Sequence, residues 1–191
     1  MSQPHPGRPR EFDTDAALDA AMALFWHHGY EATSLDDLTR AMEISRSSFY
    51  ACFGSKRGAL VAAIRRYGDT RMAELEKRVA GLPDPGRALR ETVAAIANIG
   101  GGRDGCFLIN CAVELAPHDP EVEGLGRVHF ERLEAVLAAL VARQCGLAGG
   151  AAKARARALL SVAVGASVMH KAGTPPAEID ELLAAAEPLM R

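Results

Sequence analysis

An all-α chain is predicted by three observations. Apolar residues recur at helical spacing, as in Leu18, Ala21, Leu24 and Phe25, and again in Val136, Leu137, Leu140 and Val141. No stretch alternates apolar and polar residues with the period of two that a half-buried strand shows. Aromatics make up 5% of the 191 residues while alanine and leucine are abundant, a bias that suits helix better than sheet. About nine helices are expected, in a small three-helix head followed by a larger helical body.

The elements are set by their punctuation. The first ten residues, rich in proline and glycine with Arg8 and Arg10, read as a mobile arm. A first helix carries the Leu18–Phe25 stripe and ends near His27, His28 and Gly29. Ser34 stands before Leu35 and three residues before Asp37, so its hydroxyl can cap a second helix bearing Leu35, Leu38 and Met42. Ser45 does the same for a third, whose core face holds Phe49 and Phe53, and Gly54 stops it. Ser55 opens a connecting helix, Lys56 to Ala80, with Leu60, Ile64 and Tyr67 on one face. Breaks at Pro83 with Pro85 and Gly86, at Gly100 to Gly102, and at Pro117 with Pro120 divide the rest of the chain. A helix from Pro120 to Cys145 would span roughly 39 Å at about 1.5 Å per residue. The last two helices are expected at about Ala151–Ala172 and Ala177–Met190. The boundary between head and body is placed so that residues 1–55 form the first and 56–191 the second.

Composition narrows the function classes. Hydrophobic residues at 49% and charged residues at 24% fit a globular chain rather than a disordered one. No basic segment followed by an apolar stretch opens the chain, and the longest apolar run, Ala158 to Met169, is shorter than the roughly 20 residues of a membrane span. A soluble, cytoplasmic protein without membrane contact is expected. Its four cysteines, Cys52, Cys106, Cys111 and Cys145, include no CxxC pair, so neither a zinc site nor a disulfide framework is expected. No cofactor is expected. An enzyme would need a Ser/His/Asp set, a phosphate loop or a metal cluster; Cys106 with His129 is the best pair available. The chain is read as no enzyme.

The head has the chemistry of a DNA reader. Two short helices separated by the residues around Met42 to Ser45 form a helix-turn-helix. With Phe49 and Phe53 inward, Arg46, Ser47, Ser48, Tyr50 and Ala51 face outward. Small side chains let a helix enter a major groove, hydroxyls reach base edges or phosphates, and Arg46 can read guanine or neutralise phosphate. Tyr50 and Lys56 flank that face as phosphate anchors. Residues 1–60 nevertheless carry six basic and eight acidic side chains, a net −2, so binding must rely on a local cationic stripe.

The stretch "ATSLDDLTRAMEISRSSFYACFGSKRGAL", preceded by "ALDAAMALFWHHGYEATS", resembles the TetR family of one-component bacterial transcriptional regulators. The resemblance covers roughly residues 10–65, about a third of the chain. It implies an all-helical homodimer that represses from a palindromic double-stranded DNA operator and is released by a small-molecule inducer bound in the body. Carried over by position, Thr33, Ser34, Ser45, Arg46, Ser47, Ser48, Tyr50 and Lys56 would contact DNA. Two positions depart from the family pattern. Glu43 stands in the turn where glycine is usual, at a backbone cost of about 1 kcal/mol if its φ is positive. Cys52 stands where a histidine or another polar residue is common.

In the body, the small residues Ala158, Ser161, Ala163, Gly165, Ala166 and Ser167 allow close helix approach, across a dimer interface or within one chain. The segment "GCFLINCAVE" followed by "HDP" resembles a pattern found in a subgroup of the same family. One reading sets Cys106, Phe107, Asn110, Glu114, Phe130, Leu133 and Met169 around an inducer pocket; the other makes Asn110 and Glu114 packing or interdomain hydrogen-bonding residues. Cys106 lies near a helix start, where the dipole favours a thiolate, so it is either an oxidant or electrophile sensor or a buried structural thiol. His129 and His170 are placed to touch a ligand or a metal, but no pair has ligand spacing on a common face, so ordinary packing is the reading preferred.

Overall fold

The computed structural model describes residues 12–97 and 104–191. The expected arm, the glycine break at 100–102 and Arg103 lie outside the described residues. The chain divides into two units, Met1–Ala63 and Ile64–Arg191.

The first unit is built from α1 (Thr14–His28), α2 (Leu35–Ala41), α3 (Arg46–Phe53) and the opening turns of α4 (Lys56–Ala80). The Asp13 carboxylate caps α1 by accepting from the Asp15 and Ala16 amides at 2.9 and 3.1 Å. At α2, Ser34 and Asp37 form a reciprocal capping box. The Ser45 hydroxyl accepts from the Ser48 amide at 3.1 Å, and the Ser55 hydroxyl from the Gly58 amide at 2.9 Å. Ala17, Leu18, Ala21 and Phe25 of α1 join Leu38, Met42, Phe49, Ala59 and Leu60 in the buried core. Phe49 is 0% exposed and lies 5.5 Å from Phe53, ring centre to ring centre.

The turn from α2 to α3 has a defined geometry. The Glu43 amide donates to Arg40 O at 3.2 Å and the Ile44 amide to Thr39 O at 3.1 Å. These two bonds are a Schellman motif, and Glu43 occupies its left-handed position with φ 55°. It is the one non-glycine residue with positive φ among the described residues.

The second unit contains the rest of α4, then α5 (Pro85–Ala97), α6 (Phe107–Leu115), α7 (Pro120–Cys145), α8 (Gly149–Ala172) and α9 (Pro176–Ala185). α5, α7 and α8 pack mutually around Leu89, Val93, Leu137, Leu140, Val141, Leu159 and Leu160. Ala152, Ala156, Ala163 and Ala166 on α8 are buried within the chain, which lets the helices approach closely. Arg157 clamps Glu134 across α7 and α8 with two 2.9 Å bonds. Asp119 caps α7, Pro120 opens it, and Gly146 closes it in the left-handed region. The expected helix over Ala177–Met190 is interrupted: α9 stops at Ala185 and a 3₁₀ turn, Glu187–Met190, comes after it. Pro188 has no amide hydrogen to continue the α ladder. No single helix among the described residues is long and apolar enough to cross a membrane.

Replacing Glu43 with glycine removes the left-handed strain, so a stabilisation of about 0.5–1 kcal/mol is expected. Urea unfolding followed by circular dichroism reads it directly. An unchanged or lower midpoint would show that the turn carries no such strain.

Candidate nucleic-acid interface and body cavity

The outward face of α3 is assembled by the caps beneath it. Ser45 Oγ lies 2.8 Å from Ser47 Oγ and 3.0 Å from Ser48 Oγ, a hydroxyl cluster at the helix start. No acidic residue sits in the first turn of α3, so its backbone donors meet no carboxylate from their own helix. Tyr50 is 52% exposed, its ring edge-on to Phe49 at 5.7 Å. Arg46 projects from the first turn and is held by α2: its Nε and Nη2 donate to Asp36 Oδ1 at 3.1 and 2.5 Å. That carboxylate raises the guanidinium's proton affinity further. On α2, Ser34 Oγ donates to Asp37 Oδ2 at 2.5 Å, and the Ser34 hydrogen bonds hold the Asp37 carboxyl below its ordinary range.

Two expected contact residues are engaged inside the head. Thr33 is 2% exposed and its hydroxyl donates to Gly29 O at 2.7 Å. The Lys56 ammonium donates to Tyr30 O at 2.7 Å and Thr33 O at 2.9 Å, and stands 4.2 Å from the Tyr30 ring centre. Ser34, Ser45, Arg46, Ser47 and Tyr50 are exposed, and Ser48 is half-buried.

In the second unit, a cavity of about 590 Å³ is lined from α4 by Tyr67, Arg71, Met72, Glu74, Leu75 and Arg78. Among the described residues, Cys106 and Ile109, then His129, Phe130 and Leu133 of α7, Val164 of α8 and the 94–96 stretch of α5 also line it. Of the residues expected around a pocket, Cys106, Phe130 and Leu133 are brought together here. Phe107 is fully buried and packs edge-on against Tyr67 at 5.6 Å. Asn110 Nδ2 donates to Asp104 O at 2.9 Å, tying down the approach to α6. Glu114 is exposed and Met169 is 44% exposed, both apart from the lining.

Tyr67, Arg71 and Arg78 were not among the expected pocket residues, and His129, for which packing was preferred over ligand contact, lies in the lining. The spacing 67, 71, 75 and 78 places one stripe on α4, a signal present in the sequence. The Tyr67 hydroxyl donates to Cys106 Sγ at 3.5 Å, and burial raises the phenol's pKa. Burial pushes the neighbouring Cys111 thiol up to about 12. His129 is 7% exposed, and its Nδ1 is buried without a hydrogen-bond partner. Burial, then the nearby Arg132 cation, lowers its pKa to about 4.

The family model for bacterial regulatory proteins of the tetR family matches residues 17–64. The HTH-type transcriptional repressor ComR of Escherichia coli (strain K12) is 43% identical over 120 residues, covering 61% of this chain and 57% of ComR. The HTH-type transcriptional regulator YezE of Bacillus subtilis (strain 168) is 38% identical over 133 residues, covering 66% of this chain and 64% of YezE. The chain thus matches less than two thirds of the length of either relative. Among solved structures, a cysteine-substituted variant of the TetR family transcriptional regulator CifR, complexed with 26 bp double-strand operator DNA, is 32% identical with a TM-score of 0.75. That match covers 96% of this chain and 98% of CifR.

His129 gives the body a pH dependence of definite sign. An unfolded histidine takes its proton near pH 6.5, and folded His129 only near 4. As pH falls between those values the unfolded chain binds the extra proton, so stability drops. Thermal melts between about pH 7 and about pH 4.5 are expected to lose more midpoint in the wild type than in His129→Phe. Parallel curves would show that His129 titrates normally.

Proposed function

The chain belongs to the TetR family of transcriptional regulators, whose members are regulators rather than enzymes, and from that premise we propose that it is a cytoplasmic repressor that binds a palindromic operator as a homodimer and releases it on binding a small molecule. The observation that carries the reading is the outward face of α3: a capped helix presenting Arg46, Ser47, Ser48 and Tyr50 beside a hydroxyl cluster. Ser34 and Ser45 bring capped helix starts to the phosphate backbone. Thr33 and Lys56, engaged within the head, join this set as positioning residues. The reader, expected over residues 1–55, takes in the opening turns of α4 as far as Ala63, and residues 64–191 act as the ligand-binding and dimerisation body. Val168 and Met169, exposed on α8, are apolar surface that a second copy would cover. Occupation of the cavity shifts the population of body conformations, and α4, which lines it with residues 67–78, carries the shift toward its own first turns.

Fluorescence anisotropy on DNA from immediately upstream of the protein's own gene tests the reading. Sequence-dependent binding is expected, with Arg46→Ala costing about 1–3 kcal/mol. The absence of sequence-dependent binding to any DNA drawn from a genome-wide selection would end the proposal.

The Asp36–Arg46 pair adds a second expectation. DNA must draw Arg46 away from a carboxylate whose neighbourhood also repels phosphate. Asp36→Asn is expected to raise affinity for unrelated DNA more than for the operator. Titrations at several salt concentrations are expected to steepen the non-specific salt slope by about one. Equal gains on both DNAs would mean that Asp36 contributes charge alone.

A second reading is favoured by the Tyr67–Cys106 contact at the cavity wall. Here modification of the Cys106 thiol takes the place of inducer binding. Release by a mild oxidant that dithiothreitol reverses, and that Cys106→Ser abolishes, would select it over the first.

A further inference from the structure

Among the described residues, the body cavity carries an unbalanced charge and an unused polar group. Arg71 and Arg78 bring two cations to its lining, and Glu74 brings one carboxylate. Arg71 is already engaged: Nη1 donates to Glu74 Oε2 at 3.1 Å, and the guanidinium lies 5.5 Å from the Tyr67 ring centre. The Arg78 side chain makes no ion pair or hydrogen bond among the described residues. The cavity is elongated along α4, because Tyr67, Arg71, Leu75 and Arg78 share a face extending roughly 16 Å at about 1.5 Å per residue. Met72, Leu75, Ile96, Phe130, Leu133 and Val164 give it an apolar wall. His129 contributes to the same wall a neutral imidazole whose Nδ1 has no hydrogen-bond partner.

We propose that this cavity takes an elongated amphipathic monoanion, an acid whose carboxylate pairs with Arg78 and whose hydrocarbon body lies along Leu75, Phe130 and Leu133. The inference rests on the effector-binding reading above and names the ligand class for it. An ammonium ligand would add a third cation to two arginines facing one carboxylate. A neutral apolar ligand would cover Arg78 without giving it a partner, which costs more than leaving it in water. A dianion would outnumber the single unengaged guanidinium. A guanidinium meets a carboxylate with two parallel hydrogen bonds, and an apolar wall suits the hydrocarbon chain behind it.

Displacement of the neutral dye N-phenyl-1-naphthylamine from the full chain tests the proposal, with octanoate, octylamine and 1-octanol as competitors of equal length. Octanoate is expected to displace the dye at about tenfold lower concentration than the other two. Arg78→Gln should remove that advantage, while Lys77→Gln, which deletes the same charge from the same helix outside the lining, should keep it. Equal or better displacement by octanol or octylamine, or an advantage that survives in Arg78→Gln, overturns the ligand class and leaves the cavity as an effector site. Undiminished dye binding by Ala95→Trp, which fills the cavity and whose fold is checked by circular dichroism, would overturn the cavity reading together with it.

Discussion

Helices of seven and eight residues do not stand on their own in water. The head depends on that constraint, because α2 and α3 have those lengths and must satisfy the free donors at their starts from side chains. Asp13, Ser34, Ser45 and Ser55 supply an acceptor at each start. The α2–α3 turn satisfies the carbonyls at the other end of α2 through its two Schellman bonds. Lys56 then draws the carbonyls of the α1–α2 loop onto the opening of α4. The α3 face is thus held in place by polar end-satisfaction over a small aromatic and aliphatic core.

The body solves the same problem by length. Helices of 24 and 26 residues carry few end groups relative to their side-chain surface, so packing rather than capping decides their arrangement. Alanines on α8 bring the backbones close, and leucines on α7 fill the remaining space. The polar stripe of α4 at 67–78 sits outside that saturated core, and the cavity forms along it. The charged groups of the cavity are thereby gathered on α4, while α5, α7 and α8 contribute Ile96, Phe130, Leu133 and Val164, with His129 as the polar group among them.

Elements bounded by strong local chemistry were legible in the sequence. The limits Lys56–Ala80 and Pro120–Cys145 derive from Ser55, from Pro120 and from the glycines beyond, and the structure has both. The Ser34–Asp37 box and the positive φ at Glu43 were readable for the same reason, since each depends on a few adjacent residues. The cavity was only partly legible. α6 spans nine residues, too few for periodicity to say which face turns inward; Phe107, Leu108, Ile109 and Cys111 are buried, whereas Val113 is 76% exposed. Asn110 and Glu114 share a face by spacing, yet the first is engaged by the chain just before α6 and the second is exposed. The spacing of Arg71 and Arg78 shows that they share a face of α4, but not that a cavity lies against it, because its other walls come from α5 and α7, which are distant in sequence.

Burial sorts the four thiols into different chemical lives. Cys52 lies on the surface, whereas Cys111 is enclosed in α6 with its proton held far above neutral pH. A thiol in that state reacts only when the helix around it opens. Cys111 is therefore a clock built into the chain: the rate at which a thiol reagent reaches it counts the excursions of α6 away from its neighbours. Cys52 on the same molecule supplies the zero of that clock.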